Sequence, residues 1–127
     1  MSVILERVGF APDYVNYVES LDMQSRLHAE VAARARQNTI LLLEHEPVIT
    51  AGKRTEDHEY PTDRSTPVVK IDRGGKLTWH GPGQLTGYPI LKLPEPLDVV
   101  AYVRLLEEII MNVLAQLGIK GERVEGR

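Results

Sequence analysis

"PVVKIDRGGKLTWHGPGQLTGYPILKL", residues 67–93, holds runs of strand composition separated by glycine-rich breaks. "PVVKID" is the first run; "LTWH" and "LTGYPILKL" flank Gly81-Pro82-Gly83-Gln84. β-Branched and aromatic residues bounded by glycine and proline mark strands joined by tight turns. An ordinary hairpin needs one or two glycines. Here Gly74, Gly75, Gly81 and Gly83 stand beside His80 and the chain's only tryptophan, Trp79.

Outward from this region the hydrophobic spacing changes from two to three and four. In "LDVVAYVRLLEEIIMNVLAQLG", Val99, Tyr102, Val103, Leu106, Ile109, Ile110, Val113 and Leu117 form one stripe, which predicts a helix. Asp98 is placed to cap its start and Gly118 to stop it. "IKGERV" reads as the beginning of a further strand. Toward the N-terminus, "TILLLEH" is a dense apolar run of strand length, expected to be central and buried on both faces. Tyr14, Tyr17, Val18, Leu21, Leu27, Val31 and Ala35 predict a long helix from near Pro12 to Asn38. "SVILERV" is a short strand. Residues 46–68 lack periodicity and read as a long loop after a short strand at Val48 to Thr50. Loops of that length in compact domains are usually functional or mobile.

The order strand, helix, several strands, helix, strand predicts an α/β or α+β sandwich with a mostly continuous sheet, as one domain over residues 1–127. A chain of 127 residues can bury one modest core, and 43% hydrophobic with 26% charged residues is ordinary for a soluble globular protein. A formal net charge of -3 gives no reason to expect nucleic acid or an anionic membrane as partner. Cysteine is absent, so disulfides, thiolate metal sites and a cysteine nucleophile within this chain are excluded. Glu6 and Arg7 interrupt the N-terminus too early for a signal-peptide core, and a cytoplasmic location is expected.

Several site readings fail on spacing. Gly52-Lys53 is followed by Arg54 and lacks the preceding glycine of a phosphate-binding loop. "GPGQLTG" is one residue too long for the dinucleotide fingerprint and runs into a strand. His45-Glu46 begins like a zinc-protease motif, but Ile49 stands where the second ligand belongs. No metal is expected.

A backbone-lined cradle remains. Glycine amides approach a ligand closely, and grouped N–H donors bind a carbonyl or carboxylate oxygen and stabilise an oxyanion. His80 can donate a hydrogen bond or relay a proton. Arg73 can fix a carboxylate or hold the loop through its planar fork. Thr78 and Gln84 supply polar contacts, and Trp79 and Tyr88 supply apolar walls. Each residue also has a plainer role: glycine pairs shape hairpins, Trp79 belongs more naturally to the core, and His45 follows a buried strand. His28 and His58 read as surface residues.

"DRGGKLTWHGPGQLTGYPI", residues 72–90, resembles the signature of the octanoyltransferases of lipoate synthesis, roughly R-G-G-x-x-T-[YFW]-H-G-P-G-Q-x-x-x-Y. "LLLEHEPVITAGKRT" and "EPLDVVAYVRLLEE" are similar to segments on either side of it, those of actinobacterial members especially. The resemblance covers essentially the whole chain. It implies a mixed sheet flanked by helices, like the biotin and lipoate protein ligases, incomplete at the C-terminus. It also implies transfer of an octanoyl group from acyl carrier protein to a lysine of lipoyl domains, in 2-oxoacid dehydrogenase complexes and the glycine cleavage H protein. No cofactor is implied, and ATP is not expected. The family's acyl-lining segment maps onto Arg73, Gly74, Gly75, Lys76, Leu77, Thr78, Trp79 and His80. His45, Gly81, Gly83, Gln84 and Tyr88 are further pocket candidates.

The family's cysteine nucleophile and its lysine come after the point this chain reaches, so no catalytic residue is assigned within it. The resemblance therefore implies an N-terminal portion of a longer enzyme, inactive alone. The alternatives are a subunit of a split enzyme and a non-catalytic module that binds acyl groups or acyl carrier.

Overall fold

The computed structural model describes residues 2–126. The backbone divides into two compact units, Met1–Lys92 and Leu93–Arg127. Pro94 and Pro96 lie just past the division.

In the first unit, β1 (Val3–Gly9) leads through α1 (Tyr17–Ala32) into β2 (Asn38–Leu43). β1 and β2 are parallel, and α1 supplies the crossover that a parallel pair requires. β6 (Thr86–Ile90) pairs antiparallel on the other side of β2, giving the order β1-β2-β6. The apolar face of α1 covers this sheet. Leu27 and Val31 of the helix close on Leu41 and Ile90, with Val8, Met23 and Tyr88 at the margin. Side chains alternate along a strand, so Thr39, Leu41 and Leu43 point inward while Ile40 and Leu42 are half-buried. β2 is central, as its composition predicted, though only one of its faces is fully sealed.

β3 (Val48–Ala51), β4 (Val68–Lys70) and β5 (Leu77–His80) form a second sheet in the order β4-β3-β5. β3 pairs parallel with β4 and antiparallel with β5. The strands thus form two mixed three-stranded sheets, not the mostly continuous sheet expected from the order of elements. The run after β2 turns away at Glu44 to Pro47 and starts new pairings. A single 3-10 turn at Asp57–Glu59 interrupts the long connection between β3 and β4.

α1 is shorter than its stripe. Val15 forms an isolated parallel bridge with His45, so its backbone is committed to the end of β2 rather than to a helix. The Asn16 side chain then caps the helix by accepting from the Glu19 amide at 3.2 Å. At the other end Arg34 adopts a φ of 59°, a left-handed turn that ends the helix before Asn38. Asn38 opens β2 instead, and its Oδ1 accepts the Lys92 amide at 2.7 Å.

The second unit is α2 (Val99–Gln116) and the segment after it. The Asp98 carboxylate accepts the Ala101 amide at 2.9 Å, and Gly118 ends the helix with a φ of 76°, both as predicted. "IKGERV" is not a strand. Arg123 donates to the Glu107 carboxylate at 2.7 Å and to the Arg104 carbonyl at 2.9 Å, which folds the segment back on α2. Arg104 shares the same carboxylate at 2.9 Å, and together the guanidinium groups hold the Glu107 pKa below its ordinary value. No helix among the described residues is long and apolar enough to cross a membrane.

Candidate functional site

The glycine-rich segment has two differently built ends. At the first, Arg73 folds its guanidinium back into its own turn. Nη2 donates to Thr50 Oγ1 at 2.8 Å, to Thr78 Oγ1 at 2.9 Å and to the Lys76 carbonyl at 2.9 Å. Nη1 donates to the Gly74 carbonyl at 2.8 Å. Of the two roles open to Arg73 in the sequence, this structure shows the loop-holding one.

The turn is also laced to the residues after β3. The Lys53 amide donates to Arg73, the Arg54 amide to Gly75, and the Gly52 amide to Lys76, all at carbonyl oxygens. Lys53 pairs with Asp72, and Lys76 with Glu59 of the 3-10 turn, each at 2.5 Å. The backbone bonds use carbonyls of the turn and the ion pairs use side chains; among the described residues no bond uses the Gly74 or Gly75 amide. Gly75 holds a φ of 84°, which favours glycine, and open space surrounds the Cβ position of Gly74.

Strand alternation splits the next four residues between two faces. Leu77 and Trp79 lie opposite Ala51 and Ile49 on one face of β5; Thr78 and His80 lie opposite Thr50 and Val48 on the other. Trp79 is therefore not the core residue expected. Its side is 46% exposed, and its ring rests over Gly81, where a Cβ would lie 2.3 Å from the indole.

His80 faces a buried aromatic group. Its ring centroid lies 5.9 Å from that of His45 and 6.3 Å from that of Tyr17, the latter nearly parallel at 9°. His45 is fully buried. Its Nδ1 lies 2.9 Å from the Val15 carbonyl and its Nε2 lies 2.6 Å from the Tyr88 hydroxyl. A carbonyl only accepts, so Nδ1 carries the proton and neutral Nε2 accepts from Tyr88. Burial pushes the His45 pKa below its ordinary value; the Val15 bond opposes this and nearby His80 adds to it. Burial also raises the Tyr88 and Tyr17 hydroxyl pKa values, so both remain neutral donors.

At the second end of the segment, Gln84 bridges His80 Nδ1 and the Trp79 carbonyl at 2.5 and 3.2 Å. Gly83, with a φ of 85°, gives its amide to Glu44 Oε1 at 2.7 Å, while Glu44 Oε2 accepts the Ala11 amide at 2.9 Å. That amide is occupied by the protein's own carboxylate.

The structure thus brings His45, His80, Gln84 and Tyr88 together, leaves Gly74 and Gly75 open, and packs Gly81 beneath Trp79. Sequence reasoning missed Tyr17, Glu44 and Gly52. Tyr17 looked like any helix-stripe residue. Glu44 offered one signal, a carboxylate set between a buried strand and a buried histidine. At Gly52 a Cβ would lie 2.6 Å from the Gly75 carbonyl oxygen, a demand that only the folded turn reveals.

Residues 16–127 match the family model of the lipoyl protein ligase A/B catalytic domain. The chain belongs to this family. It is 62% identical over 122 residues to an octanoyltransferase of Leifsonia xyli, covering 96% of this chain and 54% of that one. An octanoyltransferase of Renibacterium salmoninarum is 56% identical over 127 residues, covering 100% of this chain and 54% of that one. The chain spans about half the length of these curated relatives. Among solved structures, protein Ta0514 of T. acidophilum, proposed to be a lipoate protein ligase, superposes with a TM-score of 0.68. That match is 18% identical and covers 98% of this chain and 53% of the other, and it supports the lipoyl ligase fold alone.

Proposed function

We propose that this chain supplies the acyl- and carrier-binding part of an octanoyltransferase. The donor is octanoyl-acyl carrier protein, and the acceptors are lysines of lipoyl domains in 2-oxoacid dehydrogenase complexes and the glycine cleavage H protein. The compartment is the cytoplasm. The observation that carries the reading is the arginine-glycine-glycine turn of a lipoyl ligase-family chain. Its guanidinium and carbonyls are engaged inward while the Gly74 and Gly75 amides are left over.

Free amides at a turn suit the oxygen of a thioester carbonyl, whose developing charge such donors stabilise. His80 and Thr78 stand on one face of β5 beside that turn, and Leu77 and Trp79 offer an apolar surface on the other. Full burial of an octanoyl tail contributes about 0.8 kcal/mol per methylene, or roughly 4–5 kcal/mol for an intact tunnel, and part of a tunnel contributes less.

Chemistry needs more. Octanoyl transfer through a thioester requires a thiolate, and this chain has no cysteine, so the nucleophile belongs to other sequence. The test pairs two measurements on the purified chain. Titration with octanoyl-acyl carrier protein, followed by calorimetry and Trp79 fluorescence, is expected to show saturable binding. Mass spectrometry of a lipoyl domain is expected to show no added octanoyl group. Absence of binding overturns the substrate assignment; efficient transfer by the chain alone overturns the assignment of the nucleophile.

A further inference from the structure

We infer that Gln84 is a positioning residue that holds neutral His80 as its Nδ1–H tautomer, so that His80 meets its ligand through Nε2 as a hydrogen-bond acceptor. The direction of each bond in the chain is forced. The Trp79 carbonyl only accepts, so the atom of Gln84 that faces it at 3.2 Å is the amide nitrogen. The other atom of that amide, Oε1, therefore faces His80 Nδ1 at 2.5 Å, and an amide oxygen also only accepts. Nδ1 must carry the proton, and in a neutral imidazole Nε2 is left with its lone pair.

Nε2 has no protein partner among the described residues. Among the described residues the Thr86 hydroxyl is the one sealed side-chain polar atom without a partner, so the His80 nitrogen is open rather than shut in. His45 carries the same tautomer but uses its Nε2 on Tyr88. Two adjacent histidines thus have matching polarity, one closed by the fold and the other open. The group that faces His80 in the site must be a donor: the N–H of an amine or amide, an O–H or an S–H. A thioester carbonyl oxygen, which only accepts, belongs at the Gly74 and Gly75 amides instead. This assignment deepens the proposed octanoyl-transfer reading and rests on it for the identity of the donor, though not for the tautomer.

The test reads the tautomer directly and needs no substrate. The chain, labelled with 15N at histidine, is observed by long-range 1H–15N correlation near pH 8.5, about two units above the ordinary histidine pKa. The expected spectrum shows His80 with a protonated Nδ1 and a lone-pair Nε2. Gln84→Leu is expected to shift most of the His80 population to the Nε2–H form or to a mixture, while Gln84→Glu, which keeps an acceptor at that position, retains Nδ1–H. His45 serves as the internal control, since its Nδ1–H signal persists wherever the fold does. A wild-type His80 in the Nε2–H form overturns the inference, and so does a Gln84→Leu spectrum with His80 unchanged. If Gln84→Leu loses the His45 signal, Gln84→Glu decides alone: retention of Nδ1–H supports the inference and its loss overturns it. Absence of acyl-carrier binding with the expected tautomers observed defeats only the substrate reading; a wild-type His80 in the Nε2–H form with binding intact defeats only this one.

Discussion

Two pairs of glycines in one short segment are used in opposite ways. Gly74 and Gly75 sit in a turn whose interior bonds pass through carbonyls and a guanidinium, and their amides remain available. Gly81 and Gly83 are absorbed by the fold, the first under the Trp79 ring and the second by the Glu44 carboxylate. The difference teaches that a glycine does not say what will meet it. At one end the amides have no protein partner among the described residues; at the other the protein supplies an indole over Gly81 and a carboxylate to the Gly83 amide.

The strongest way to break that comparison is to remove what buttresses the closed end. His45→Leu takes away the acceptor of the Tyr88 hydroxyl and one of two donors to the Val15 carbonyl, which keeps the Glu46 amide, and is expected to cost about 1–3 kcal/mol in urea denaturation at pH 7.5. The cost carries a pH signature. Because the folded-state pKa of His45 lies below its ordinary 6.5, the unfolded chain binds the proton more readily. The stability held by neutral His45 is fully present above 6.5 and is lost as pH falls from there toward the folded-state pKa. The gap between wild type and His45→Leu should therefore narrow between about pH 7 and 5. A gap that is constant across this range would show that His45 is not held neutral.

Next in size is Gly52→Ala, which drives a methyl group against the Gly74 and Gly75 carbonyl oxygens. Backbone atoms yield little, and a loss of about 2–3 kcal/mol is expected, with octanoyl-carrier binding weakened because the open turn shifts. Gly81→Ala presses instead on an indole that is partly exposed and free to swing outward. Its cost should be nearer 1 kcal/mol, with a red shift of Trp79 fluorescence reporting the displaced ring. A larger cost at Gly81 than at Gly52 would reverse the assignment of rigid and yielding ends.

The smallest effect sharpens the comparison most. Gly74→Ala adds a methyl group where nothing lies within 4 Å, so stability should stay within about 0.5 kcal/mol of wild type. Binding of octanoyl-acyl carrier protein should nevertheless weaken several-fold in calorimetry, since the methyl group occupies the approach to the amides. Unchanged binding would mean that the open end is open for no ligand.

Most of the elements were legible from hydrophobic spacing: the helices, the central strand and the strands around the glycines. The errors lie where distant backbone decides. α1 begins late because Val15 bridges to His45, and residues 119–124 are not a strand but a segment that Arg123 ties to α2. The candidate site could be named in the sequence as a list of residues and not as an arrangement. Its chemistry-bearing side chains cluster around residues 73–84, yet period-two alternation sends Trp79 and His80 to opposite faces of β5. Of the long-range partners, Tyr17 and Gly52 carry no local mark, and Glu44 carries only its place between a buried strand and His45.

By itself, the amino-acid sequence determined that the chain makes mixed sheet and amphipathic helix, that one turn has unusual backbone freedom, and which family it resembles. Those are properties of spacing and of residue type, fixed within a few positions along the chain. Tertiary structure alone decided which polar groups are open. Arg73 reaches Thr50, Glu44 reaches Gly83 and His45 reaches Tyr88 across 23, 39 and 43 residues. A buried donor or acceptor must find its partner wherever the fold brings one near, and what remains unpaired is known only when every pairing has been made.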